Sequence, residues 1–350
     1  MSNQEIIHPF KLDPWTASSL LQKAIRRGDA ELAKHAARTL YRQRGKGVWR
    51  RLMVIAFEDV GIAEPELVSE LVILATDPSM RAMLGDDIDL ILDFSARLAS
   101  APKDRSSDYL FCAGIKLPES HRERASLGNM TMVERVAIAA DPDQPLLRRG
   151  IATLVSCTVD GNGAKVTCNE ALTRLVTALD VDCPSPLHEA TAVAARKGCD
   201  PIILMVPLLW SAMPREPIAP EVVDCAVPPE EMVGGIPFYT FDKHTSAGKH
   251  AITLFARENR EVAEILAEHV PSVQARDVAL IAAFYADGMP VTRRLIWSKS
   301  QVLEDLGLEA DMIGAGCPRV GILPIAECVK RNLGHLNDVR RSVVSRRLGL

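Results

Sequence analysis

No two of the eight cysteines stand in a Cys-x-x-Cys pair: Cys112, Cys157, Cys168, Cys183, Cys199, Cys225, Cys317 and Cys328 are scattered along a 350-residue chain. A structural zinc site needs close pairs, so that short loops can bring several thiolates to one ion. No metal is therefore expected, and the thiols read as buried apolar side chains. No apolar run approaches the roughly 18–20 residues that cross a bilayer. The start, Met-Ser-Asn-Gln-Glu-Ile-Ile-His, has no basic segment followed by a long apolar core. No signal or transit peptide is read there, and a cytoplasmic protein without membrane association is expected. Internal repeats and low-complexity tracts are missing as well.

Catalytic signatures are equally scarce. A P-loop needs Gly-x-x-x-x-Gly-Lys-Ser/Thr, with backbone N–H groups around the phosphates and a hydroxyl on magnesium. The nearest approach, Lys243-His-Thr-Ser-Ala-Gly-Lys-His250, has lysine for the first glycine and histidine for the hydroxyl residue. Gly314-Ala-Gly-Cys-Pro-Arg-Val-Gly321 has the wrong glycine spacing for a dinucleotide fingerprint. Asp160-Gly-Asn-Gly163 resembles the middle of an EF-hand loop, but Thr158 and Asn169 stand where acidic ligands belong, so a tight turn is expected instead. Gly-x-Ser-x-Gly and His-Glu-x-x-His are absent. No cofactor is expected, and catalysis is not the first reading.

What the chain does have is helical periodicity and helix caps. With 47% hydrophobic and 25% charged residues it has the make-up of a globular protein. Asp13-Pro14 starts a helix carrying Leu20, Leu21, Ala24 and Ile25 on one face, and Gly28-Asp29 ends it and caps the next. Gly45-Lys-Gly47 breaks the chain before a third helix, about Val48 to Val60. Further starts are Glu64-Pro65, Asp86 or Asp87, the capping box Thr131-Met-Val-Glu134, Ser185-Pro186 and Asp200-Pro201. Strand character is confined to Thr153 to Thr167, Ile202 to Trp210 and Phe238 to Phe241. The expected fold is mostly or wholly α, a multi-helix assembly. Three regions are expected: 1–117; 118–236, ending in the proline-rich stretch Met213 to Pro237; and 237–350.

Charge is uneven although the formal net charge is only −4. Nine Lys or Arg residues lie between Arg26 and Arg51 against Asp29 and Glu31, and Lys330, Arg331, Arg340, Arg341, Arg346 and Arg347 crowd the C-terminal part. Such side chains often serve solubility through their aliphatic stems. The Gly45-Lys-Gly47 turn, with Tyr41 and Trp49 beside it, also suits phosphates or unstacked bases, which makes Arg38, Arg42, Arg44, Lys46, Arg50 and Arg51 the candidate nucleic-acid contacts. Glu58 and Asp59 point about 100° apart on a helix and are expected not to share a substrate but to fix the turn at Gly61 by local hydrogen bonds.

One polar cluster remains: Asp242, Lys243, His244, Thr245, Lys249 and His250, after Phe238-Tyr-Thr-Phe241. If Asp242 or Thr245 caps a helix, Thr245, Lys249 and His250 could hold an anion at its N-terminus. Asp242, His244 and His250 are the catalytic candidates, with Asp242 orienting His244 for acid–base work. The plainer alternative is a capped, solvated helix start.

Three ordered motifs carry a family resemblance: Lys23-Ala-Ile-Arg-Arg-Gly-Asp29, then Arg51-Leu-Met-Val-Ile-Ala-Phe-Glu-Asp-Val-Gly-Ile-Ala-Glu-Pro65, then Arg97-Leu-Ala-Ser-Ala-Pro-Lys103 with Tyr109 beyond. Over roughly residues 12–117 the chain resembles the C-terminal helical region of the RarA (MgsA) family of clamp-loader-like AAA+ ATPases. The resemblance implies a helical oligomerisation collar, a homo-oligomer, and DNA or a replication protein as partner. Only about a dozen residues precede the first matched helix, so the ATPase core is expected to be missing. The leading expectation is thus a non-catalytic oligomeric protein of DNA metabolism. An enzyme using the Asp242–His250 cluster and a pure scaffold for acidic protein surfaces are the rivals.

Overall fold

The computed structural model describes residues 12–159, 165, 167, 169–215 and 218–348. The chain is 75% helical with 4% strand, a mostly α multi-helix fold as expected. The expected turn at Asp160–Gly163, Cys168 and Pro217 lie outside the described residues.

The caps read from the sequence act as caps. The Asp13 carboxylate accepts from the Trp15 and Thr16 N–H groups, at 2.9 and 3.1 Å, and starts the Pro14–Arg27 helix. Leu20, Leu21, Ala24 and Ile25 of that helix are fully buried against the Ala30–Arg44 helix, which Asp29 caps. Thr131 and Glu134 form the reciprocal capping box. Such a cap is worth about 1 kcal/mol, but the buried apolar stripes supply most of each helix's stability.

The three stretches with strand character depart from expectation wholly or in part, because burial overrode local pattern. The apolar run Ile202 to Trp210 is not a strand; it lies in the 3-10 turn Pro201–Leu204 and the helix Met205–Ala212, buried on nearly all sides. The first part of the Thr153 to Thr167 stretch ends the Leu146–Cys157 helix, but beyond it the Val159 N–H donates to the Lys165 carbonyl at 3.0 Å and the Thr167 N–H to the Cys157 carbonyl at 2.8 Å, a strand-like pairing as expected there; Phe238–Thr240 is a 3-10 turn. A short apolar run cannot by its period distinguish a strand from a wholly buried helix. The strands lie elsewhere: Glu221–Asp224 pairs antiparallel with Arg293–Ile296, and Met232–Val233 with Ile236–Pro237. Glu221–Asp224 is largely exposed and Arg293–Ile296 buries only Leu295, so no alternation announced the pair.

One apolar cluster draws residues from Leu12 to Leu303 together with Val344, and the helices on both sides of positions 117 and 118 share it. A second cluster lies within 251–343. Among the described residues no single helix is long and apolar enough to cross a membrane.

An ion-pair network ties these helices together. Residues 56–60 form a π-turn after the Val48–Ile55 helix, and there Glu58 and Asp59 meet a shared partner. Arg26 donates from Nη2 to Glu58 Oε1 and from Nε to Asp59 Oδ1, each at 2.7 Å. Arg105 reaches both carboxylates, and Gln22 Nε2 donates to Asp59 Oδ2 at 2.8 Å. The expected local role at Gly61 is therefore corrected: these carboxylates bind cations some 30 to 50 residues away, because a long guanidinium bridges the angle between adjacent helix positions. Gly61 turns for another reason: its φ is 51°, and a Cβ there would lie 3.1 Å from the Asp104 carbonyl oxygen. Burial pushes the Glu58 carboxyl up, but Arg26, Arg105 and Arg51 outweigh it and hold its pKa at about 2.

Lys103, 1% exposed, closes the Asp87–Ser100 helix by donating from Nζ to the Ala99 and Ala101 carbonyls. Burial, assisted by Arg293, lowers its pKa to about 7. The unfolded chain keeps this proton up to the ordinary value of 10.5, so the folded form binds fewer protons across that window and stability rises with pH. Urea unfolding is expected to show a rise of up to about 1.4 kcal/mol per pH unit between roughly pH 7 and 8.5. Lys103→Met should flatten it, and an unchanged slope in that variant would refute the assignment.

Candidate nucleic-acid interface

Thr245 caps the Ser246–Glu258 helix, its Oγ1 accepting from the Gly248 N–H at 3.0 Å. Lys249 and His250 then stand exposed in the first turn, where the helix's unsatisfied N–H groups concentrate positive potential. Three other elements close a groove around them. The Leu333–Leu348 helix brings Arg347, whose Nη1 donates to Ser246 Oγ at 3.1 Å. The Ala275–Ala283 helix brings Arg276, whose Nε donates to Thr253 Oγ1 at 3.4 Å. The start of the first helix contributes Asp13 and Trp15. The groove holds about 680 Å³ and is open to solvent.

Trp15 is 66% exposed, and the Arg44 guanidinium lies 5.2 Å from the centre of its ring. An indole standing in water with a cation over it is a stacking surface next to a cationic groove. Lys249, Arg276 and Arg347 line that groove against one carboxylate, Asp13, which is already engaged by three donors of its own helix start.

The candidate contacts of the basic N-terminal segment separate. Arg44 reaches the groove's edge through Trp15. Arg38 and Arg42 are exposed on the Ala30–Arg44 helix. Lys46 pairs with Asp87 at 2.8 Å, and Arg50 Nη2 donates to the Gly198 carbonyl at 2.7 Å. Arg51 points inward to Gln22 Oε1, and burial lowers its pKa; it is part of the framework, not a surface contact.

The second cluster separates too. Asp242 is fully buried, with Oδ2 2.7 Å from Lys23 Nζ and Oδ1 accepting from the His244 backbone N–H at 2.9 Å. Burial pushes this carboxyl up, but the attraction of Lys23 and His244 holds it below the usual range. The expected orienting role is corrected here, because the aspartate grips the backbone of His244 while the imidazole packs edge-on against Phe284 at 5.4 Å. His244 keeps an exposed edge; desolvation of the rest of the ring, with Lys23 and Lys243 nearby and against the pull of Asp242, lowers the imidazole pKa. The shift favours the neutral ring, which also lines the groove but adds no cation to it. The Thr245 hydroxyl is spent on its cap, so Lys249 and His250 are the cluster's remaining anion contacts.

Trp15, Arg276 and Arg347 escape sequence reading as groove residues. Only Trp15 has a local signal: a large aromatic in the first turn after the Asp13 cap, off the apolar stripe. The convergence of 13–15, 249–250, 276 and 347 is long-range and leaves no trace in any one segment. Among the described residues no group of three or more His, Cys, Asp or Glu side chains is placed to share a metal ion. The chain matches no protein-family model, no curated protein and no solved structure.

Proposed function

We propose that the protein is a non-catalytic nucleic-acid-binding protein of DNA metabolism that holds an unpaired strand in this groove and assembles through its collar-like region, residues 12–117. One observation carries the reading: cations from three separate parts of the chain, Lys249, Arg276 and Arg347, converge beside an exposed tryptophan that Arg44 covers. Phosphates suit the cations, and a splayed base suits Trp15, because every base has a stackable face. The surroundings of Asp242 and His244 supply no oriented acid–base pair, which favours binding over catalysis. Within 65–84, Ile73, Met80, Met83 and Leu84 stand exposed, an apolar surface suited to a second copy.

A labelled oligothymidylate should bind the protein at low salt, with log affinity falling linearly against log salt. Neutralising Lys249 and Arg347 to alanine is expected to lower that slope by about 0.7 for each phosphate no longer neutralised. Trp15→Ala should cost about 1–3 kcal/mol on the single strand and leave duplex binding unchanged. Absence of oligonucleotide binding at roughly 50 mM salt would sink the nucleic-acid reading, and sedimentation that returns only the monomer mass would sink the assembly.

A further inference from the structure

A second cavity, of about 750 Å³, opens where the start of the Ser106–Lys116 helix faces the loop after Glu221–Asp224, the Phe284–Val291 segment and the junction at Leu333. Its size is that of a pocket for one small organic molecule. Much of its wall is apolar, built from Pro228, Pro290, Val291 and Leu333.

The polar part of the lining is cationic. Arg105, Arg294, Lys330 and Arg331 line it against Glu231 and Glu304, with Lys103 turned to the Ala99 and Ala101 carbonyls. Both carboxylates are already matched. Glu304 accepts from Arg294 Nη1 at 2.6 Å, and Glu231 accepts from Asn337 Nδ2 and from Arg341 Nη2, each at 2.9 Å. What stays uncommitted is donor capacity. Arg105 is 4% exposed, and its η nitrogens are held by Asp59, Glu58 and Asp108, none of which lines the cavity. Its Nε–H has no partner among the described residues but is closed off from the cavity, so Arg105 contributes charge there and not a free donor; the free donor is Lys330. Lys330 stands exposed on the lining with no partner among the described residues.

We infer that this cavity binds a small organic anion, a carboxylate or phosphate monoester on an apolar body, with the body along Pro290, Val291 and Leu333 and the charge answered by Lys330. This site is distinct from the nucleic-acid groove, and the two share no lining residue.

Calorimetry with phenyl phosphate and with phenylacetate tests it, with inorganic phosphate and benzyl alcohol as the charge-only and body-only probes. At least one of the two organic anions should bind, and more tightly than either half-probe, because each half satisfies only one part of the lining. The variants are Ala226→Trp, which fills the cavity from an exposed loop position, and Lys330→Glu, which reverses the exposed charge. Each should weaken binding at least about tenfold, or 1.4 kcal/mol, while melting in plain buffer stays as in the unaltered protein. Trp15→Ala should leave the organic anion's affinity unchanged, which separates this site from the groove. The inference is overturned if neither organic anion binds, if inorganic phosphate or benzyl alcohol binds as tightly, or if both correctly folded variants bind as the unaltered protein does.

Discussion

Asp59→Ala is expected to destabilise the protein by about 3–5 kcal/mol, the cost of leaving buried charge without its counter-charge. Asp59 is fully buried and accepts from Arg26 Nε, Gln22 Nε2 and Arg105 Nη1. Alanine removes one charge and the acceptor of all three bonds, while Arg26, 1% exposed, and Arg105, 4% exposed, stay in place. Glu58 is then the carboxylate left to Arg26, while Arg105 keeps Glu58 and Asp108. Urea unfolding should show the midpoint shift with little change in slope. Adding Arg26→Met to Asp59→Ala should return part of the stability, because the second substitution removes one of the stranded cations; the coupling in that double-mutant cycle measures the pair. A drop below about 1 kcal/mol for Asp59→Ala would mean that the network is not closed in this way.

Gly248→Ala is the second large effect. Gly248 sits in the first turn of the Ser246–Glu258 helix, where a Cβ would lie 2.2 Å from the Asp242 carbonyl oxygen and 2.4 Å from the Asp242 nitrogen and the Phe241 carbonyl carbon. These are backbone atoms and cannot swing aside as a side chain can. The helix start must therefore move off the 241–242 segment, with the Thr245 cap, the Lys23–Asp242 ion pair and the Phe241 packing moving too. Overpacking usually costs about 1–3 kcal/mol, and this site should lie at or above the top of that range. Because Lys249 and His250 follow directly, oligonucleotide affinity should fall with stability. Retention of both native melting and native binding in Gly248→Ala would refute the close approach.

Much of the helical frame is legible in the sequence because it rests on local chemistry. Asp13-Pro14, Asp29, Thr131 with Glu134, Ser185-Pro186 and Asp200-Pro201 each cap the element they announce. Sequence and structure part where burial, not period, sets the conformation, as at Ile202 to Trp210, whose apolar run is buried helix. The site is legible only in pieces. Lys249 and His250 read as anion contacts at a helix start, and the structure places them in the groove. Arg51 reads as a surface cation although it belongs to the interior, since nothing in its neighbourhood shows that Gln22 waits for it. For Glu58 and Asp59, the angle between neighbouring positions on an ideal helix misleads because it ignores how far a guanidinium reaches.

By itself the sequence determined that the chain folds as a helical protein and where many of its helices begin, because caps and a 3.6-residue apolar period act within a few residues of one another. It also determined that positive charge gathers near the first helices and at the C-terminal helix. Only the tertiary structure decided which of those charges are available. It buried Arg26, Arg105 and Arg340 among interior partners, turned the half-buried Arg51 inward to Gln22, and set Arg44, Arg276 and Arg347 around one groove. A guanidinium costs too much to bury unless carboxylates or carbonyls meet it, and those partners come from elements tens to hundreds of residues away, so no local reading can divide a framework arginine from a binding one.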